Sequence, residues 1–230
     1  MTELTDKARS RGHWDVVIRP ATFVPDRVPY EQLDEVVPSV EIRMRGWPVP
    51  YVDYGRDAVL RGDDWVGQDI DATVVDHYEA WRFFTSGQFA HLRSVSADWR
   101  SGSEALRVPE GFASLIEVWE ILFYLTEVFE LAARLALSPG GDEHMITSVS
   151  LHGLENRGLI VGQRNRAEFM APQRSHVESF SHDVELSREK LIADGKVAAA
   201  EMAREFFLRF GWKPPLDQLL DHQRELTERN

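Results

Sequence analysis

Residues 112–137, FASLIEVWEILFYLTEVFELAARLAL, form a long apolar stretch that constrains the fold of this 230-residue chain more than any other segment. Glu117, Glu120, Glu127, Glu130 and Arg134 interrupt it, and each charge at a bilayer centre costs about 2.5 to 3.5 kcal/mol on insertion scales. The stretch therefore reads as a helix of a protein core. On a helical wheel those charges and Tyr124 fall within a sector of about 140°, and nearly all large apolar residues lie outside it. Three sides of the helix need cover, which predicts a central position against a sheet. Pro109 and Glu110 are expected to open the helix, and Pro139-Gly140-Gly141 to close it. Its acidic sector is expected to face solvent, steadied by a Glu130–Arg134 pair at i,i+4 spacing.

The flanking segments are mostly β in pattern. Trp14–Ile18 and Val40–Met44 read as strands, and a short helix fits Glu31–Val37 with Pro38 just beyond its end. A hairpin is expected over Ala80–Val95 with Ser86-Gly87 as a two-residue turn, placing Trp81, Phe83, Ala90 and Leu92 on one face. Met145–Leu151, Gly158–Val161, Ala167–Met170 and Val177–Val184 follow as strands, then helices over Ser187–Phe210 and Leu216–Thr227. Strands, one long helix, more strands and closing helices predict an α+β fold: a mostly antiparallel sheet packed on one central helix, with C-terminal helices. Residues 1–12 are polar and expected as a flexible lead-in, with residues 13–230 forming one domain.

Charge and composition exclude several function classes. A net charge of −12 repels phosphate backbones and anionic lipid. The absence of cysteine excludes disulfides, thiolate nucleophiles and cysteine-based metal sites. With no apolar leader in MTELTDKARSRGH, a cytoplasmic protein is expected. Neither G-x-S-x-G nor the common phosphate-binding glycine loops occur, the histidines show no zinc spacing, and no cofactor is expected.

Three candidate sites remain. Eight carboxylates lie between Asp53 and Glu79 against Arg56 and Arg61. Among them Asp69 and Asp71 share a strand face and, with Glu79, form a candidate metal site for Mg²⁺ or Mn²⁺. Arg82, Phe84, His91 and Arg93 on the second hairpin face, joined by Arg164 and Arg166 of the basic segment 156–177, form a candidate pocket for a small anionic ligand. Trp47, Tyr51 and Tyr54, in the Pro-rich segment GWPVPYVDY, form a candidate partner-binding surface.

The segments RGWPVPYVD, YEAWRFFTSGQFAHL and ILFYLTEVFELAARLAL resemble uncharacterised bacterial proteins with R-G-W-x-x-P and W-R-x-x-x-S-G-Q-F segments, over residues 14–160. That resemblance implies a bacterial cytoplasmic module and brings no activity with it. The expected function is a non-catalytic module binding a partner protein or a small anionic ligand, with self-association compatible and nucleic acid disfavoured. The alternative is a metal-dependent hydrolase or nuclease using Asp69, Asp71 and Glu79, where a divalent ion would activate water.

Overall fold

The computed structural model describes residues 2–55, 58–162 and 167–227. Helix α1 (Glu3–Arg9) precedes strand β1 (His13–Pro20), helix α2 (Leu33–Val40) and strands β2 (Leu60–Arg61), β3 (Trp65–Ala72), β4 (His77–Phe84) and β5 (Phe89–Ser94). Strand β6 (Ser114–Glu117) leads directly into helix α3 (Val118–Leu137). Strands β7 (His144–His152), β8 (Arg157–Ile160), β9 (Gln173–Arg174) and β10 (Ser179–Ser187) are followed by helices α4 (Arg188–Leu208) and α5 (Leu216–Thr227).

Seven strands form one sheet in the order β10-β7-β1-β5-β4-β3-β2, with every neighbouring pair antiparallel. A small second sheet pairs β6 parallel to β8, and β8 antiparallel to β9. Alternation along β1 turns Trp14, Val16 and Ile18 into the core, where Trp81, Phe83 and Phe89 join them. Helix α3 lies against that face of the sheet and is covered in turn by α4 and α5. The expected α+β architecture with a long central helix is what the chain adopts. Among the described residues, no helix is long and apolar enough to cross a membrane.

Several boundaries differ from expectation. The supposed flexible lead-in carries α1, capped by a reciprocal Thr2–Thr5 box and packed through Ala8 on Tyr78, Ala80 and Leu92. Pro38 lies inside α2, and the expected strand Val40–Met44 is reduced to one bridge between Ile42 and Val49. Pro109 and Glu110 do not open α3: Gly111 turns the chain with φ of +85°, and Ser114–Glu117 extends instead to pair with β8. Residues 167–169 have no regular structure, and a short strand falls later, at Gln173–Arg174.

The hairpin between β4 and β5 departs by one residue. Its loop is Thr85–Gly87, closed by Phe84 N–H donating to Gln88 O at 2.9 Å, so Phe83 pairs with Phe89 and Trp81 with His91. Thr85 is drawn out of the ladder by its N–H to Asp64 O, its hydroxyl to Pro25 O, and Val28 N–H to its carbonyl. Gly87 takes φ of +82° and passes so close to Gly140 that a Cβ would stand 2.2 Å from the Gly140 carbonyl oxygen. Trp81 and Phe83 are buried as expected, but Ala90 and Leu92 fall on the opposite face. Truncating Trp81 or Phe83 to alanine is expected to cost about 3 to 5 kcal/mol, measured by urea unfolding; a loss below about 1 kcal/mol would show that neither ring is a core anchor.

Candidate functional site

The register assigns the sequence-derived residues to places other than those expected. Because Ile70, not Asp69, lies opposite Glu79, Glu79 points to the core face while Asp69 and Asp71 point to the other. The three carboxylates therefore cannot hold one ion. Asp69 accepts from Arg82 Nη2 at 2.6 Å, and the Arg82 guanidinium also covers the Trp65 ring at 4.8 Å. Asp71 lies 3.2 Å from Lys7 Nζ, and its carboxyl is held below the usual range by the Thr73 hydroxyl and by Lys7.

The expected ligand pocket is divided by the same one-residue shift. Arg82 stays on the outer face with Phe84, whereas His91 and Arg93 point inward and are buried. Arg164 and Arg166 lie outside the described residues. Of the aromatic trio, only Tyr54 is exposed, its hydroxyl on Glu41 at 3.2 Å. Trp47 stacks on Tyr51 at 4.6 Å, and both cover Glu79: Trp47 Nε1 donates to it at 3.3 Å and Tyr51 N–H at 2.7 Å.

Glu79 is the centre of a buried polar cluster. His77 Nε2 donates to its carboxylate, His91 Nε2 stands 3.6 Å away, and Arg93 faces it across the strand pair. Tyr124 of α3 hydrogen-bonds His91 Nδ1 at 3.0 Å and lies under the Arg93 guanidinium. Burial opposes the Glu79 charge, yet the two imidazoles outweigh it and hold the carboxyl far below its ordinary range. Burial lowers the His77 imidazole and pushes the Tyr124 phenol well up.

The acidic sector of α3 belongs to this interior. Glu127 accepts from Arg45, Glu120 from Ser96 N–H and hydroxyl, and Glu117 pairs with Arg100 at 2.9 Å. Only Glu130 with Arg134 forms the expected pair near the surface, at 3.3 Å. A solvent-facing stripe is thus replaced by a face covered with loops 43–54 and 96–100, whose arginines and backbone donors engage the carboxylates.

An open cleft of about 750 Å³ lies where the start of β1, the end of β7 and strand β6 meet. Its lining includes Arg9, Arg11, His13, Arg100, His152 and Arg157. Arg157 anchors it: the guanidinium is bidentate on Asp98 at 2.8 and 2.6 Å and also donates to the Gly153 and Leu115 carbonyls. Gly12 N–H donates to the same Asp98 carboxylate at 2.9 Å. Gly153, at φ of +70°, lets the chain turn against Gly12.

On one wall of this cleft, antiparallel pairing sets His13 directly opposite His152, and Asp15 two residues along lies on the same face. The imidazoles stack at 4.5 Å. Asp15 Oδ2 is 3.8 Å from His13 Nε2 and 3.4 Å from His152 Nε2, while Asp15 Oδ1 accepts from Arg9 at 3.2 Å. Sequence patterns give no sign of this group beyond His13-x-Asp15 leading a strand, because His152 stands 137 residues after Asp15. No family model, curated protein or solved structure matches this chain.

Proposed function

We propose that this chain is a binding module that takes a small anionic ligand in the cleft beside His13 and His152. The observation that carries this reading is the gathering of Arg9, Arg11, Arg100 and Arg157 around one cavity of about 750 Å³ in a chain of net charge −12. Arg157 and Asp98 engage each other and Arg100 pairs with Glu117, which leaves Arg9 and Arg11 to meet a ligand, with Glu155 and Glu178 as the other acids of the lining. A cavity of that volume accommodates a drug-sized molecule. Arg9 and Arg11 are exposed at its edge and can donate to a carboxylate or phosphate in fork geometry. The anionic-ligand expectation is kept, with the pocket moved from the β4–β5 hairpin to this cleft. A bacterial cytoplasmic setting belongs to the same reading, supported by the cysteine-free composition and the resemblance described above.

Calorimetric titration with pyrophosphate, citrate and a nucleoside monophosphate tests it. One of these is expected to bind once per chain and to weaken as salt rises, because exposed charges are screened over about 10 Å at 0.1 M. Arg9→Ala and Arg11→Ala should each weaken binding about tenfold or more while leaving the melting temperature within a few degrees. Equal affinity in wild type and both variants, or no binding of any of the three anions, would overturn the reading.

A further inference from the structure

We propose that His13, Asp15 and His152 bind one divalent first-row transition ion, zinc foremost, through His13 Nε2, Asp15 Oδ2 and His152 Nε2. The site goes beyond the anion-binding reading and does not depend on it. The three side chains offer ligand atoms that all lie within 4.8 Å of one another. Zinc–nitrogen and zinc–oxygen bonds of about 2.0 to 2.1 Å in tetrahedral geometry place neighbouring ligand atoms about 3.3 Å apart. The Asp15 Oδ2 separations of 3.4 and 3.8 Å are within small side-chain movements of that edge.

The surroundings prepare each ligand. His13 Nδ1 stands 2.9 Å from the Arg11 carbonyl oxygen, and only a protonated Nδ1 can bond a carbonyl. The neutral ring then carries its lone pair on Nε2, the nitrogen facing Asp15. This tie between a ligand imidazole and a backbone carbonyl is the usual way a metal-binding histidine is oriented. Arg9 engages Asp15 Oδ1 and leaves Oδ2 turned to the histidines.

One movement is required. The two rings are nearly parallel, at 11°, so their in-plane lone pairs run side by side and cannot meet on one ion. His13 is held by Arg11, whereas the His152 side chain is 36% exposed and can turn out of the stack. Two nitrogens and one carboxylate oxygen suit zinc, cobalt, nickel or copper over magnesium or calcium, which prefer all-oxygen sites. Three protein ligands leave a fourth position, as catalytic zinc sites do, next to a cleft whose lining includes His13 and His152.

Zinc titration of the full chain at pH 7.5, read by calorimetry and native mass spectrometry with no anion added, tests the site. Wild type is expected to take up one zinc ion. His152→Ala and Asp15→Asn should each weaken uptake at least tenfold, and excess magnesium should not compete. His152→Ala is the decisive variant because its half-exposed ring can be removed without loss of the fold, which the metal-free melting temperature checks. Cobalt substitution should give the intense visible bands of a four-coordinate ion in wild type and lose them in His152→Ala. No zinc uptake by wild type, or equal uptake by wild type and His152→Ala, would overturn the proposal. Because the probe is the metal alone, its failure leaves the anion reading standing, and the reverse also holds.

Discussion

Replacing Asp98 by alanine is expected to destabilise the chain by about 3 to 5 kcal/mol, because it strands the Arg157 guanidinium in the interior. Arg157 is 2% exposed, and its two strongest bonds go to Asp98. The backbone carbonyls of Gly153 and Leu115 take two more, but neither carries compensating charge. The same carboxylate holds the Gly12 N–H, so its loss also frees the entry to β1. For a chain of this size the cost corresponds to a drop in melting temperature of about 6 to 20 °C. Replacing both partners by apolar residues of similar volume should cost less than Asp98→Ala alone, since no charge is left buried. Urea unfolding of the two variants checks the prediction, and a loss below about 1 kcal/mol for Asp98→Ala would refute it.

Glu79→Ala is expected to be comparably severe, at about 3 to 5 kcal/mol at neutral pH. It removes the acceptor of His77, of the Trp47 indole and of the Tyr51 amide, and leaves Arg93 without the carboxylate that faces it. The milder Glu79→Gln gives the sharper test, through pH. The folded carboxyl is held below its ordinary value, so its contribution is complete above the unfolded value of about 4.3 and is lost as pH falls below that toward the folded value. His77 acts in the same sense: its folded value is lowered, so the unfolded chain takes up the proton first, and stability falls as pH drops below about 6.5. Wild type should therefore lose stability steeply between pH 6.5 and 3, and Glu79→Gln should lose less of it below pH 4.5. Parallel pH profiles for the two proteins would show that Glu79 carries no charge worth protecting.

The cluster around Glu79 shows why part of the interior was legible and part was not. The burial of Trp81 and Phe83 follows from bulk and alternation alone, and the structure keeps both in the core. Their partners across the hairpin depend on whether Thr85 belongs to the loop, and that is decided by Pro25, Val28 and Asp64, residues 21 to 60 positions away. One residue of slip exchanges every side chain of β5 between faces. It turned His91 and Arg93 from a supposed ligand surface into the partners of a buried carboxylate. Trp47 and Tyr51 moved from a supposed partner surface to the cover over it because the loop carrying them docks on that face.

Helix α3 divides the two kinds of information most clearly. Its apolar three sides, its end before Pro139 and its central place follow from the sequence, because burying that many large side chains requires a sheet and further helices around it, whereas its start does not, since Ser114–Glu117 extends to pair with β8. The fate of its carboxylates does not follow, since a helical wheel reports which residues share a sector and not what approaches that sector. Arg45, Ser96 and Arg100 reach Glu127, Glu120 and Glu117 only after the loops carrying them have folded over the helix. Likewise His13 and Asp15 share a strand face by period-two alternation, but His152 joins them only through the antiparallel register of β1 and β7. Local periodicity is written in neighbouring residues and can be read from them; register and loop docking are settled by contacts between distant segments, and those exist only in the folded chain.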